Sequence, residues 1–256
     1  SKIRTKDLYP RPQLKRESFF LLNGQWDFAF DDENIGVLEG WSHTVRGDRK
    51  INVPFTYETG KSGIGDERPH GVIWYWKNIT ITNEFKKDQS IQINFEGCDY
   101  HLDLWVNGVY KGSHDGAYTR FAFELGKFAE GEEVLLSIRV EDPHSEEQVR
   151  GKQRWLSDNY GCWYVQTTGI WKDVWLEQVS DDYVEKIKIT PDIYKKTVTI
   201  HTMCHSNKEN LIMKSDVYFE GKFINSVSGK LEAGVCQMDI DVYLSLIHIS
   251  EPTRPL

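Results

Sequence analysis

Apolar and polar residues alternate with a period of two through most of this chain. Trp26, Phe28 and Phe30 alternate with Gln25, Asp27 and Ala29, and Ile91, Ile93 and Phe95 alternate with Gln92 and Asn94. Leu102, Leu104 and Val106 repeat the pattern and run into Asn107-Gly108, the pair that best tolerates the positive φ angles of a two-residue hairpin turn. Val134, Leu136, Ile138 and Val140 form another such set, and Ile170, Val174 and Leu176 close the series within TTGIWKDVWLEQV. Period-two alternation places each apolar set on one face of a strand. No ten-residue segment carries a helical stripe. The pattern predicts an all-β chain opening with a β-sandwich of about 180 residues. A second strand series starts near Val184, continues through Val198, Ile200, Thr202, Val217 and Phe219, and fades at Val242. It covers about 60 residues where an immunoglobulin-like sandwich needs about 100, so an incomplete, marginally stable second sandwich is expected.

Composition narrows the function classes. Hydrophobic residues at 39% and charged residues at 27% describe a globular chain. Aromatics reach 13%, with nine Trp, which suits both a sandwich core and the stacking of sugar rings. A net charge of −8 without a basic cluster argues against nucleic acid. The four cysteines form no C-x-x-C pair, and reduced thiols are expected, with a Cys204–Cys236 bridge as the alternative. No apolar run has the length of a membrane span, and the first residues lack an apolar signal core, so the default expectation is a cytoplasmic protein without a membrane partner. Residues Leu244 to Pro255 (LSLIHISEPTRP) resemble the translation of a transposon-type sequencing adapter. Residues 244–256 are therefore expected to be foreign, and the chain is expected to be a fragment.

Four segments together resemble glycoside hydrolase family 2, the β-galactosidase/β-glucuronidase family. They are Leu22-Asn23-Gly24-Gln25-Trp26-Asp27-Phe28; Val53-Pro54-Phe55 with Ser62-Gly63-Ile64-Gly65; Trp105-Val106-Asn107-Gly108 with Gly116-Ala117-Tyr118-Thr119-Arg120-Phe121; and Thr167-Thr168-Gly169-Ile170-Trp171. The resemblance implies a jelly-roll, galactose-binding-like domain over residues 1–180 and a truncated immunoglobulin-like domain over 181–243. A TIM barrel carrying the chemistry would follow, and would be the missing partner of this chain. It also implies a parent that hydrolyses terminal β-linked sugars with retention, a β-galactosidase first, then a β-glucuronidase or β-mannosidase, and an oligomer among its expected states. The motif residues read as scaffold. Trp26 anchors a core, Asn23-Gly24 and Asn107-Gly108 make turns, and Gly169 permits a close backbone approach.

Retaining glycosidases need two carboxyl groups about 5–5.5 Å apart. The resemblance places both beyond residue 243, so no catalytic residue is assigned here. Asn83-Glu84 follows the strand-like run Trp76 to Ile81 and reads as a solvated turn, and Asp31-Asp32-Glu33 reads as loop acids. The loop Gly65 to Gly71, before Trp74-Tyr75-Trp76, is the first candidate: Asp66, Arg68 and His70 supply donors and acceptors for sugar hydroxyls, with a Trp or Tyr face to stack on. Packing against a neighbouring domain is the alternative. A second candidate is the basic, aromatic stretch from Arg150 to Tyr164, in which Lys152, Gln153 and Trp163 are the expected sugar contacts. Val165-Gln166 departs from the Arg or acidic residue that relatives carry there, which leaves the sugar preference open. His114-Asp115 reads as a hydrogen-bonded pair. His201 and His205 lie about 13 Å apart on a strand, too far to share an ion, so neither metal nor cofactor is expected. A free-standing carbohydrate-binding module and a purely structural domain remain the alternatives to a glycosidase fragment.

Overall fold

The computed structural model describes residues 19–117, 119–142, 168–219 and 221–242. The chain divides into two units between Val179 and Ser180. Among the described residues the first unit holds twelve strands: β1 (Phe19–Leu21), β2 (Gly24–Phe30), β3 (Arg49–Val53), β4 (Val72–Thr80), β5 (Ser90–Phe95), β6 (Cys98–Asp99), β7 (His101–Val106), β8 (Val109–Asp115), β9 (Phe121–Gly126), β10 (Glu133–Glu141), β11 (Gly169–Ile170) and β12 (Val174–Val179). They form a six-stranded sheet in the order β3-β2-β4-β10-β7-β8 and a four-stranded sheet in the order β1-β12-β5-β9, with β11 and β6 as a small third pair.

The alternating pattern explains this sandwich. Phe28, Tyr75, Ile138 and Leu104 stand in register across β2, β4, β10 and β7, all shut off from solvent. Ile93, Phe95, Val174 and Leu176, in register on β5 and β12, join the same core from the other sheet. Burying each such side chain contributes roughly 1.5–3 kcal/mol. Asn107 and Gly108, at φ 49° and 79°, make the two-residue turn that pairs Val106 with Val109.

The outer face of the six-stranded sheet is covered too, and this positions the site. Trp74 and Trp76 are fully buried and stack with ring centroids 5.9 Å apart, and Trp105 stacks on Trp74 at 5.3 Å. Segment 31–48 covers them. Asp31 accepts hydrogen bonds from the Ile35 and Gly36 amides at 2.8 and 2.9 Å and from Trp74 Nε1 at 3.0 Å. Trp76 Nε1 donates to the Trp41 carbonyl at 2.8 Å, and Ser137 Oγ to that of Ser42 at 3.0 Å. Asp31 is therefore a buried structural carboxylate, not an ordinary loop acid, because three donors replace its lost hydration.

The second unit carries β13 (Tyr183–Asp192), β14 (Thr197–His205), β15 (Ile212–Phe219), β16 (Lys222–Lys230) and β17 (Val235–Asp241). β13-β14-β17 form one sheet and β15-β16 another. Val198, Ile200, Ile240 and Val242 are buried between them, with Val217 and Val227 packed against this core. Ile189 lies beside Ile200 in register yet is 57% exposed, since the opposing sheet has two strands among the described residues. Cys98, Cys204 and Cys236 are free thiols whose burial pushes their pKa values up. Among the described residues no helix is long and apolar enough to cross a membrane.

Candidate functional site

The loop after β3 folds back on Tyr57. The Asp66 amide donates to the Tyr57 carbonyl at 3.1 Å, and the His70 amide to the Tyr57 hydroxyl at 3.1 Å. The His70 ring stacks on Phe30 with centroids 3.6 Å apart and meets the Tyr57 ring edge-on at 5.3 Å. Its Nδ1 lies 2.7 Å from Asp32 Oδ1 and its Nε2 3.3 Å from Asp66 Oδ2. With a buried ring and both nitrogens facing carboxylates, His70 fixes the loop and has no ring nitrogen left for a ligand.

Asp66 is committed as well. Arg68 Nε and Nη2 donate to Asp66 Oδ1 and Oδ2 at 2.9 and 2.6 Å, and the Arg68 amide adds a bond to Oδ1 at 3.0 Å. These hydrogen bonds hold the Asp66 carboxyl well below the usual carboxylate range. The Arg68 side chain is exposed, and a guanidinium carries five N–H donors, of which this fork uses two. Arg68 is thus the member of the predicted trio with donors to offer.

These residues border an open cleft of about 420 Å³, whose walls include Phe30, Asp32, Trp41, Arg46, Arg49 and Arg68. The Arg49 guanidinium carbon lies over the Phe30 ring, 5.1 Å from its centroid. Trp41 is partly exposed. The fold joins Arg46 and Arg49 from before and within β3 to Arg68 from the loop, and sets Asp32 and Asp48 on the same walls, so the cleft is polar with both signs of charge. Trp41, Arg46 and Arg49 escaped sequence reasoning. Their one signal, two cations in the run VRGDRK, gains meaning only once Arg68 is brought beside it.

Other expectations need correction. Trp74, Tyr75 and Trp76 present no face for sugar stacking, because all three are fully buried. The partly exposed aromatic ring in the cleft is Trp41, since the Phe30 ring is stacked by His70 and overlaid by Arg49. His114 and Asp115 do not pair. Strand alternation sends them to opposite faces, so Asp115 meets His101 Nδ1 at 2.6 Å while His114 stacks on Phe121 at 3.9 Å. Glu84 sits in the turn after β4. Lys152, Gln153 and Trp163, with Val165 and Gln166, lie outside the described residues, as do residues 244–256.

The described flank of that second stretch is held from below. The Thr168 amide donates to Glu58 Oε1 at 3.0 Å, and Thr168 Oγ1 donates to Asp142 Oδ2 at 3.2 Å. Burial raises the Glu58 pKa. Gly169, at φ +105°, lies against the Tyr75 hydroxyl, which accepts the Ile170 amide at 3.3 Å. Among the described residues no group of three His, Cys, Asp or Glu side chains could hold a metal ion.

A family model described as glycosyl hydrolases family 2, sugar binding domain, matches residues 19–180. A β-glucuronidase of Paenibacillus borealis is 23% identical over 263 residues, covering 94% of this chain and 44% of the relative. A β-galactosidase of Thermoanaerobacterium thermosulfurigenes is 27% identical over 213 residues, covering 82% of this chain and 28% of the relative. The solved β-glucuronidase from Ruminococcus gnavus in complex with D-glucuronic acid matches with a TM-score of 0.67 at 16% identity, over 92% of this chain and 41% of that one. At that identity the likeness speaks for the fold. The chain spans less than half the length of each of these relatives.

Proposed function

From the premise that this chain belongs to glycosyl hydrolase family 2, through its sugar-binding domain, we propose that it is the non-catalytic, sugar-contacting part of a retaining exo-β-glycosidase. β-Galactosides are the first substrate to expect, with β-glucuronides and β-mannosides behind them. In the retaining route one carboxylate attacks the anomeric carbon while a second carboxylic acid protonates the leaving oxygen; water then releases the sugar from the covalent intermediate. A TIM barrel following this chain would supply both groups. Without them the chain lowers no barrier, and its contribution is to position sugar hydroxyls and to seat the barrel.

The observation that carries this reading is the hydrogen-bonded 66–70 loop at the rim of the cleft that Trp41 lines. Asp66 and His70 satisfy each other and their neighbours, which leaves Arg68 aimed by a fixed frame. Pre-organised donors bind without the entropic cost of ordering a loop.

Titration of the chain with galactose and with glucuronate, followed by tryptophan fluorescence, tests the reading, since Trp41 lines the cleft. Saturable quenching or enhancement without product is expected. A flat response to every sugar up to the highest soluble concentration contradicts it.

A further inference from the structure

Among the described residues β8 is an edge strand of the six-stranded sheet, and side chains on its outer face tie it to β7. His101 Nδ1 lies 2.6 Å from Asp115 Oδ1 on β8, and its Nε2 lies 3.3 Å from Asp103 Oδ2 on its own strand. That same Asp103 oxygen is 3.4 Å from Arg139 Nη1 on β10, so two donors share it at nearly equal, long distances. The other Asp103 oxygen accepts the Tyr110 hydroxyl of β8 at 3.0 Å. Arg139 is buried, and its Nη2 donates to Glu141 Oε2 at 2.8 Å and to Asn34 Oδ1 at 2.9 Å. Glu141 stands opposite His101 in register, and Asp99 precedes it by two positions. His101 thus stands among acids from β7, β8 and β10, with one guanidinium beside them.

An imidazolium donates from both ring nitrogens, and a neutral imidazole from one only. Charged, His101 holds Asp115 and Asp103 together. Neutral, it keeps its proton on Nδ1, where the contact is shorter, and turns a lone pair on the Asp103 oxygen. That oxygen already has a second donor in Arg139. Asp103 thus has two positions, and the Tyr110 hydroxyl moves with it. We propose that His101 is a proton-operated latch on β8, closed while the ring is charged and opened when Asp103 passes to Arg139. Burial opposes the charge on His101, but the hydrogen bonds and charges of Asp115 and Asp103 outweigh it and raise its pKa. The latch is therefore closed below the ordinary histidine value of about 6.5 and opens as pH rises through the folded one. It acts on a sheet edge, the part of a sheet most open to pairing with other chains.

The test is NMR on the whole 256-residue chain between about pH 5.5 and about pH 8.5, the range in which histidine titrates. The His101 ring is expected to titrate above about 6.5, and the Tyr110 ring signals to shift with the same midpoint. Amides of β8, corrected for intrinsic exchange, are expected to exchange about threefold faster above that midpoint, the scale of one partly exposed ion pair. His101→Gln carries no charge, so its β8 amides exchange at the faster rate at every pH. Asp103→Asn lowers the His101 midpoint, and decides the matter if His101→Gln does not fold. His205→Gln, in the second unit, leaves all three readouts unchanged. A His101 midpoint at or below the ordinary value in the parent chain overturns the latch. So does a Tyr110 shift or a β8 exchange step that survives in His101→Gln, or an unchanged His101 midpoint in Asp103→Asn.

Discussion

The imidazole of His70 lies nearly parallel to the ring of Phe30, 15° from coplanar and 3.6 Å between centroids. This stack ties the 66–70 loop to β2, and the contacts to Asp32 and Asp66 fix the rotation of the ring. His70→Ala removes both and is expected to cost about 2–3 kcal/mol in denaturant unfolding, and to weaken sugar binding. Arg68→Gln, at an exposed side chain whose ion pair is screened by solvent, is expected to change stability far less than His70→Ala and to act on binding. Similar stability losses in both variants would refute this division of roles.

Asp66 gives a pH signature. Its folded-state pKa is depressed, mainly by the Arg68 hydrogen bonds, so its contribution is present above the unfolded value and lost as pH falls through the folded one. Asp66→Asn is expected to be less stable than the parent chain at pH 7. The gap narrows once the pH drops below about 4, the ordinary Asp range. Thermal melts across pH 3 to 7 check the sign, and a gap that widens in acid would contradict it.

Glu58 has the opposite sign. Burial raises its folded-state pKa, so the carboxyl favours the folded state while protonated, and that stability is lost as pH rises through the folded value. Glu58→Gln keeps an acceptor for the Thr168 amide and removes the charge. A gain in melting temperature at pH 7 to 8 is expected, vanishing below pH about 4. A loss at pH 8 would show that the carboxylate is needed there.

Gly169 tests the seam between the sheets. A side chain there meets the Tyr75 hydroxyl and Ile73 while the backbone sits at φ +105°. Gly169→Ala is expected to cost at least about 2 kcal/mol. Adding Tyr75→Phe removes the clashing oxygen and should recover part of that loss. Additive effects in the double-mutant cycle would deny the contact.

The two-residue period was enough to read the core of the first unit. Phe28, Ile93, Leu104, Ile138 and Leu176 all fall on the buried face that alternation assigns, and Asn107-Gly108 makes the turn that its φ preferences demand. What alternation does not carry is the outer face. Trp74 and Trp76 occupy the polar phase of β4 and yet are buried, because segment 31–48 folds over them through Asp31. That segment has no periodicity to announce it. Arg46, Arg49 and Arg68 likewise converge only through the β2–β3 pairing and the closed loop on Tyr57, which are long-range facts that no local pattern records. The resemblance pointed to the 66–70 loop as a candidate, and only the fold brings Arg46, Arg49 and Trp41 beside it.

We propose above that this chain serves a retaining β-glycosidase without performing the chemistry. The most direct test of this proposal compares two proteins, one in which this segment is followed by a TIM barrel as the proposal expects at the source locus, and this 256-residue chain. Each is assayed on aryl β-galactoside and aryl β-glucuronide, with the anomer released first read by NMR. Hydrolysis by the longer protein alone, giving the β-anomer first, is the predicted result. Hydrolysis by this chain itself, or none by the longer protein on either substrate, would contradict it.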